Sequence, residues 1–504
     1  MATLTVPLSR IEGHARVTIE FRGSETLSAR FQATEKRGFE LFCQGAPAEQ
    51  MPVIVPRICG VCSTAHHIAA VKALEDLYGV YPPEVAVHIR ELMMLGQLVQ
   101  NQATSLFLFT MPDLPGRDGL PSLFHFGTEG GEIAARALQV RRLGTDLITL
   151  AGGQFIHPVK ATVGGVTGGI PRDQGREMRA VLESHLGMAE ELVAHYRELF
   201  RQLRHRIGTL GDDTPTHYMG AVAPGHAFYG DAMRVVSPDG GSVAVFGADE
   251  YAEYLTKVPL EGSYSSGTLF RGSIVNCNSL ARVNMLDSMG TPRADAQLAA
   301  FHAEWGRPTH AILLFNLARC IELIYCMERA IELLELDLWS GPFRARYRPV
   351  DGEGYGLVEA PRGPLLFTLC LLRLTVCGMI AGNSESREAN MNGQHSNREH
   401  VDQNRTATMF IPRLTPSLAG LAVLFCWAGV GFAQRPAMSK SARPASAAAG
   451  AASAREQVNW QFESKAPGIG EPLPDITVLD AEGRDFPLRD LRGSYSVLVF
   501  GCLT

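Results

Sequence analysis

Two cysteines and a histidine at fixed spacing limit what this chain can build. In Pro56-Arg57-Ile58-Cys59-Gly60-Val61-Cys62-Ser63-Thr64-Ala65-His66 the thiols stand three residues apart and the imidazole four beyond the second. Where such a run turns into a helix, positions i, i+3 and i+7 share a side, so the three donors face one point. From spacing alone the group is half of a zinc site, a thiol redox pair, or half of a transition-metal site completed elsewhere. The sequence holds no second C-x-x-C pair to complete a zinc site in the usual way.

Composition excludes little beyond that. A chain of 504 residues can bury a large core in two or three domains, and 46% hydrophobic with 19% charged residues suits a compact globular enzyme. The net charge of -6 gives no basis for a nucleic-acid partner. Ten cysteines are too sparse for a disulfide framework, and Met1 to Pro7 runs into polar Ser9-Arg10-Ile11-Glu12 without an apolar leader. The expected location is the cytoplasm.

Periodicity outlines the elements. Alternating Ala15, Val17, Ile19 and Phe21, then Leu27, Ala29 and Phe31 about Gly23-Ser24, predict a β-hairpin and hence a small N-terminal sheet. Helical spacing follows His66 at Ile68, Val71, Leu74 and Leu77 and stops at Gly79. Residues 84–111, 131–150, 171–210 and 292–338 are also expected to be helical, the first too apolar for one narrow stripe and so buried. The glycine-rich stretch Gly152 to Gly169 lacks the spacing of a nucleotide cradle and reads as close backbone packing. Cys320 and Cys326 read as core residues.

The character changes near residue 366. Residues 367–408 combine an apolar run without turn logic and a polar tract without periodicity, so no packed structure is expected there. Residues 409–434 carry Arg413, an uncharged run at 414–432 and a small-residue end, the pattern of a secretory signal, with a buried helix or single span as alternatives. An Ala/Ser/Pro-rich linker occupies 435–466, and 467–504 reads as a domain fragment with strands at 475–480 and 495–500.

Several motifs resemble, in order and spacing, those of nickel-iron hydrogenase large subunits. They are Ser9-Arg10-Ile11-Glu12-Gly13-His14, Arg37-Gly38-Phe39-Glu40 and Pro56 to Cys62, then Ile156-His157-Pro158, Leu280 to Asn284, Asp287 to Pro292 and Glu359-Ala360-Pro361-Arg362-Gly363. The resemblance spans about 3–366 and is greatest to the cytoplasmic multisubunit group. It implies an α+β fold of mostly long helices with a small N-terminal sheet, here incomplete at the C-terminus. It implies heterolytic cleavage of dihydrogen at a nickel-iron centre whose iron carries carbon monoxide and cyanide. The implied partners are an iron-sulfur small subunit and diaphorase-like or carrier-reducing subunits. A membrane is not implied except through 414–432.

The resemblance also assigns roles. Cys59 would be a terminal nickel ligand and Cys62 a nickel-iron bridge, thiolates suiting both metals. Glu12 would be a buried carboxylate that accepts a proton beside a nickel thiolate, Arg362 the guanidinium above the open metal face, and His66 a hydrogen-bond partner of a ligating sulfur. Glu40 would bind a structural magnesium. Asp113 would be a carboxylate of the canopy over the metals, with an ordinary helix-end aspartate as its alternative.

Departures from the pattern are equally specific. The family's second cysteine pair, in D-P-C-x-x-C-x-x-H, has no counterpart after residue 366, and Gln102 and Ser105 stand where the family often has histidines. The segment from Pro472 to Thr504 is similar to the opening of a thioredoxin-fold, deiodinase-like redoxin. These features together suggest a frameshift near residue 366 into a neighbouring gene. The expectation is a hydrogenase large-subunit scaffold with impaired activity. The alternatives are a non-catalytic scaffold subunit and a zinc-stabilised structural protein.

Overall fold

The computed structural model describes residues 2–8, 11–35, 39–114, 129–207, 213–222, 227–372, 375–381, 477–479 and 485–487. The chain divides into two units, Met1–Gln434 and Arg435–Thr504. In the second unit the described residues form one antiparallel pair, which lies within the segment read as a redoxin fragment. The signal-like segment 409–434, the linker 435–466 and the expected strand at 495–500 lie outside the described residues.

Helices make the core of the first unit. They are α1 (Phe39–Cys43), α2 (Met51–Ile54), α3 (Ser63–Tyr78), α4 (Glu84–Ala103), α5 (Glu129–Gly152), α6 (Arg172–Ile207), α7 (Tyr251–Tyr254), α8 (Ser279–Met285), α9 (Pro292–Trp305) and α10 (Phe315–Leu333). The four longer expected helical stretches are thus present, with 292–338 split into two. Beyond Ala103 the α4 path continues as a π-helical stretch, Thr104–Thr110, and a 3-10 turn, Met111–Asp113. In α3 twelve of sixteen residues are buried, among them the small Ala65, Ala69, Ala70 and Ala73. Gly79, at φ 60°, ends the helix in the left-handed conformation that glycine adopts freely.

Strands β1 (Ala2–Pro7), β2 (Ala15–Arg22) and β3 (Glu25–Ala33) form the antiparallel N-terminal sheet. The short pair β4 (Ala161–Thr162) and β5 (Gly165–Val166) lies in the glycine-rich stretch, where a Cβ on Gly165 would sit 2.1 Å from the Phe343 carbonyl oxygen. Close backbone packing accounts for Gly164, Gly165 and Gly169, whereas a Cβ on Gly168 would meet nothing. Strands β6 (His217–Val222), β7 (Ala232–Val236), β8 (Ser242–Gly247), β9 (Leu255–Pro259), β10 (Ser266–Phe270) and β11 (Ser273–Asn276) build a six-stranded sheet in the order β8-β7-β6-β11-β10-β9. Its central β6–β11 pairing is parallel and the rest antiparallel.

The last sheet of this unit joins β12 (Gly352–Ala360), β13 (Gly363–Leu372) and β14 (Thr375–Ala381). This corrects, for its first part, the expectation that 367–408 lacks packed structure, because residues 367–372 and 375–381 pair as strands. Leu369 and Leu371 are buried in the core, so the apolar run lacks turn residues because most of it is a strand. Residues 382–408 lie outside the described residues.

The placement of β12 matters most for the site. A Cβ on Gly354 would lie 2.2 Å from the Ala73 carbonyl oxygen, and one on Gly356 2.0 Å from that of Ala69. Only glycine lets the strand rest directly on the α3 backbone. The contacts step backward along α3 as β12 advances, so the strand runs towards the start of α3, where the cysteines are.

Candidate metal centre

The entry to α3 brings the donors together. A 3-10 turn, Val55–Ile58, leads to Cys59 in extended backbone, and Cys62 occupies the N-cap position of the helix. His66 follows one turn later, its amide donating to the Cys62 carbonyl. Cys59, Cys62 and His66 each offer a ligand atom, and these atoms lie within 4.8 Å of one another. The two sulfurs are bonded as a disulfide, so the reduced pair is the form able to take a metal. Cys59 and Cys62 are 9% and 7% exposed, leaving the sulfurs at the edge of the core.

Two charged groups reach the sulfurs from distant parts of the chain. The Arg362 guanidinium places its Nη2 3.5 Å from Cys62 Sγ and 3.8 Å from Cys59 Sγ. Arg362 owes this position to the β12–β13 hairpin, whose turn is only Pro361-Arg362, flanked by the Ala360–Gly363 pair. Gly363 sits at φ 138° with no space for a Cβ, which would lie 2.7 Å from Cys277 Cβ. Glu12, in the bend after β1, holds Oε1 3.7 Å from Cys59 Sγ.

Glu12 corrects one expectation, because its side chain is exposed and not buried. Five of the seven residues named from the sequence therefore converge: Glu12, Cys59, Cys62, His66 and Arg362. Glu40 does not join them. It lies half-buried on α1, close enough to Cys43 to add to the burial that raises that thiol. Asp113 closes the 3-10 turn after α4, and its side chain lies outside the described residues.

His66 is nearly buried, packs edge-on against Phe367 with centroids 5.9 Å apart, and leaves Nδ1 without a hydrogen-bond partner. Burial, with the Arg362 charge second, pulls its pKa to about 4, so the imidazole is neutral near pH 7. A neutral ring with a free polar nitrogen beside two sulfurs suits a metal-thiolate neighbourhood. Cys320 and Cys326 are fully buried with thiols raised by burial, as expected of core cysteines.

Behind the turn lies a buried ionic group whose role the sequence does not signal. Arg282 on α8 donates to Glu322 on α10 and, at 2.5 Å, to Glu359 at the end of β12. All three are at most 1% exposed on their side chains. Arg282 and Glu359 fall in the resembling motifs, but nothing near Glu322 in sequence marks it as other than one more helical glutamate.

A family profile described as nickel-dependent hydrogenase matches residues 37–110. One subunit of the F420-non-reducing vhu hydrogenase of Methanococcus voltae is 36% identical over 378 residues, covering 72% of this chain and 90% of that protein. The beta subunit of the NAD-reducing hydrogenase HoxS of Cupriavidus necator is 29% identical over 389 residues, covering 71% of this chain and 79% of that one. The structure of an NAD+-reducing [NiFe]-hydrogenase in the H2-reduced state superposes with a TM-score of 0.72 at 29% identity, over 76% of this chain and 88% of that chain. By the extent of these matches, and by the motifs that meet at the start of α3, the chain belongs to the nickel-dependent hydrogenase family, among its large subunits.

Proposed function

We propose that this chain is the large subunit of a nickel-iron hydrogenase and that residues around Cys59 and Cys62 form half of its metal centre. The reaction is reversible heterolytic cleavage of dihydrogen, with electrons passed through an iron-sulfur small subunit to a soluble carrier. The observation that carries this reading is the convergence of Glu12, Cys59, Cys62, His66 and Arg362 from separate stretches of chain.

The donor set fits the group as far as it goes. Reduced Cys59 and Cys62 supply two thiolates, soft ligands that hold nickel and iron, and the bound centre supplies the site at which dihydrogen is polarised. The chain's own residues do the rest. Glu12, exposed and beside Cys59, can take up a proton and pass it to solvent. Arg362 places a fixed positive charge and hydrogen-bond donors over the sulfurs, which favours their thiolate form and stabilises charge developing there. His66, neutral and held by Phe367, keeps its free nitrogen for a sulfur-bound group.

Two thiolates are half of the four used by the family, so the activity of the chain alone is expected to be impaired. Exposed Leu41 and Phe42 on α1 support a partner subunit, since such apolar side chains are commonly covered in a complex. No helix among the described residues is long and apolar enough to cross a membrane. By the motif resemblance the protein is cytoplasmic, and magnesium at Glu40 belongs to the same reading.

Infrared spectroscopy of the protein purified from a host with hydrogenase maturation tests the proposal. Bands of iron-bound carbon monoxide and cyanide are expected. A protein with zinc alone and no such bands would instead be the zinc-stabilised structural alternative, to which three donors within 4.8 Å lend support.

A further inference from the structure

The buried ionic group behind the β12–β13 turn makes more hydrogen bonds to that turn than a charge-neutralising pair requires. Arg282 Nη2 donates to the Pro361 carbonyl at 3.2 Å and Nη1 to the Ala360 carbonyl at 3.4 Å, while Nη1 also reaches Glu359. The two residues so gripped, Ala360 and Pro361, immediately precede Arg362. The other side of the guanidinium is clamped by Glu322, with Nε to one oxygen and Nη2 to the other at 2.9 Å.

Glu322 in turn accepts from Ser279 Oγ and from Gln102 Nε2, each at 2.5 Å, so α4, α8 and α10 all converge on it. Glu359 anchors the turn end of β12 by accepting the Ala221 amide of β6 at 2.6 Å. One face of Arg282 is covered by the Phe228 ring, 5.2 Å away. A guanidinium with a covered face and all three nitrogens engaged has one available position. Its carbonyl acceptors inherit that rigidity, and so does the next residue.

We propose that Arg282, Glu322 and Glu359 form a positioning frame for Arg362, fixing the Pro361-Arg362 turn so that its guanidinium stands over Cys59 and Cys62. The three do not touch the sulfurs, and their effect on the site passes through the turn backbone. The proposal rests on the reading that Arg362 serves the metal centre. It explains why two carboxylates and one guanidinium are buried together, an arrangement that hydrophobic residues would often replace without loss of stability. Arg282→Lys removes the fork while keeping the charge, so a lysine cannot hold two carboxylates and two carbonyls at once.

Hydrogen exchange read by mass spectrometry, together with the rate at which phenylglyoxal modifies Arg362, tests the frame in apo protein. In the wild type the amides of Ala360 and Gly363 should exchange as slowly as those of α8. In Arg282→Lys they should exchange at least tenfold faster, and Arg362 should be modified several-fold faster, with α5 and α6 unchanged. Glu359→Gln, nearly isosteric, should give a smaller change in the same direction if Arg282→Lys does not fold. Wild-type amides that exchange at the rate of exposed loops, or a turn unmoved in either variant, would overturn the proposal. Because neither readout needs a metal, a loosened turn in a protein that never takes up nickel would preserve the frame and remove the hydrogenase reading.

Discussion

Glu359 is enclosed between Arg282 and the Ala221 amide, and burial pushes its carboxyl up to about 7 although the guanidinium opposes the shift. In the unfolded chain the same carboxyl titrates near 4.5, so between these values the folded state holds the extra proton. Stability from this group is therefore present at acid pH and lost as pH rises towards about 7. Urea unfolding should show a smaller decline between pH 5 and pH 7 in Glu359→Gln than in the wild type. Equal slopes would place the proton elsewhere. A second buried pair has a purely structural consequence: Arg90, fully buried, bonds both oxygens of Glu75 and the carbonyls of Thr162 and Gly165. Removing it in Arg90→Met leaves Glu75 uncompensated and should cost about 3–5 kcal/mol in denaturant titration. At this scale the sequence is informative where chemistry imposes spacing, as for Cys59, Cys62 and His66. It is silent for Glu322, whose partner Arg282 lies forty residues away and is recruited only by the fold.

Among elements, the contact of β12 with α3 decides whether Arg362 reaches the sulfurs. A Cβ at position 356 would lie 2.0 Å from the Ala69 carbonyl oxygen, and backbone there has no soft neighbour to yield. Gly356→Ala should therefore destabilise the protein by about 2 kcal/mol or more and lift the hairpin, measured as a lower melting temperature with faster modification of Arg362. The long helices are legible because their apolar residues repeat along α3 to α6 with helical period. The six-stranded sheet is less so: its strands are four to six residues long, and its central pair, β6 with β11, joins segments about fifty residues apart. Residues 367–372 and 375–381 defeat a reading by pattern because largely apolar strands look patternless until their partners are known.

For the whole molecule, the hydrogenase likeness covers the part of the chain that folds around α3, and the described residues of the second unit form one antiparallel strand pair. The order of motifs makes the family readable before any fold is known, whereas the strand at Thr375–Ala381 extends the packed unit beyond the point where the motifs end. Sequencing the locus should reveal a second frame downstream of codon 366 encoding D-P-C-x-x-C. An intact gene without it would remove the frameshift explanation. The central claim, that Cys59 and Cys62 are half of a nickel-iron centre, is tested most directly by elemental analysis of protein produced with its maturation machinery. Nickel and iron are expected in the wild type and should be lost together in Cys59→Ser and in Cys62→Ser. Zinc in their place, or nickel and iron retained in both variants, would contradict it.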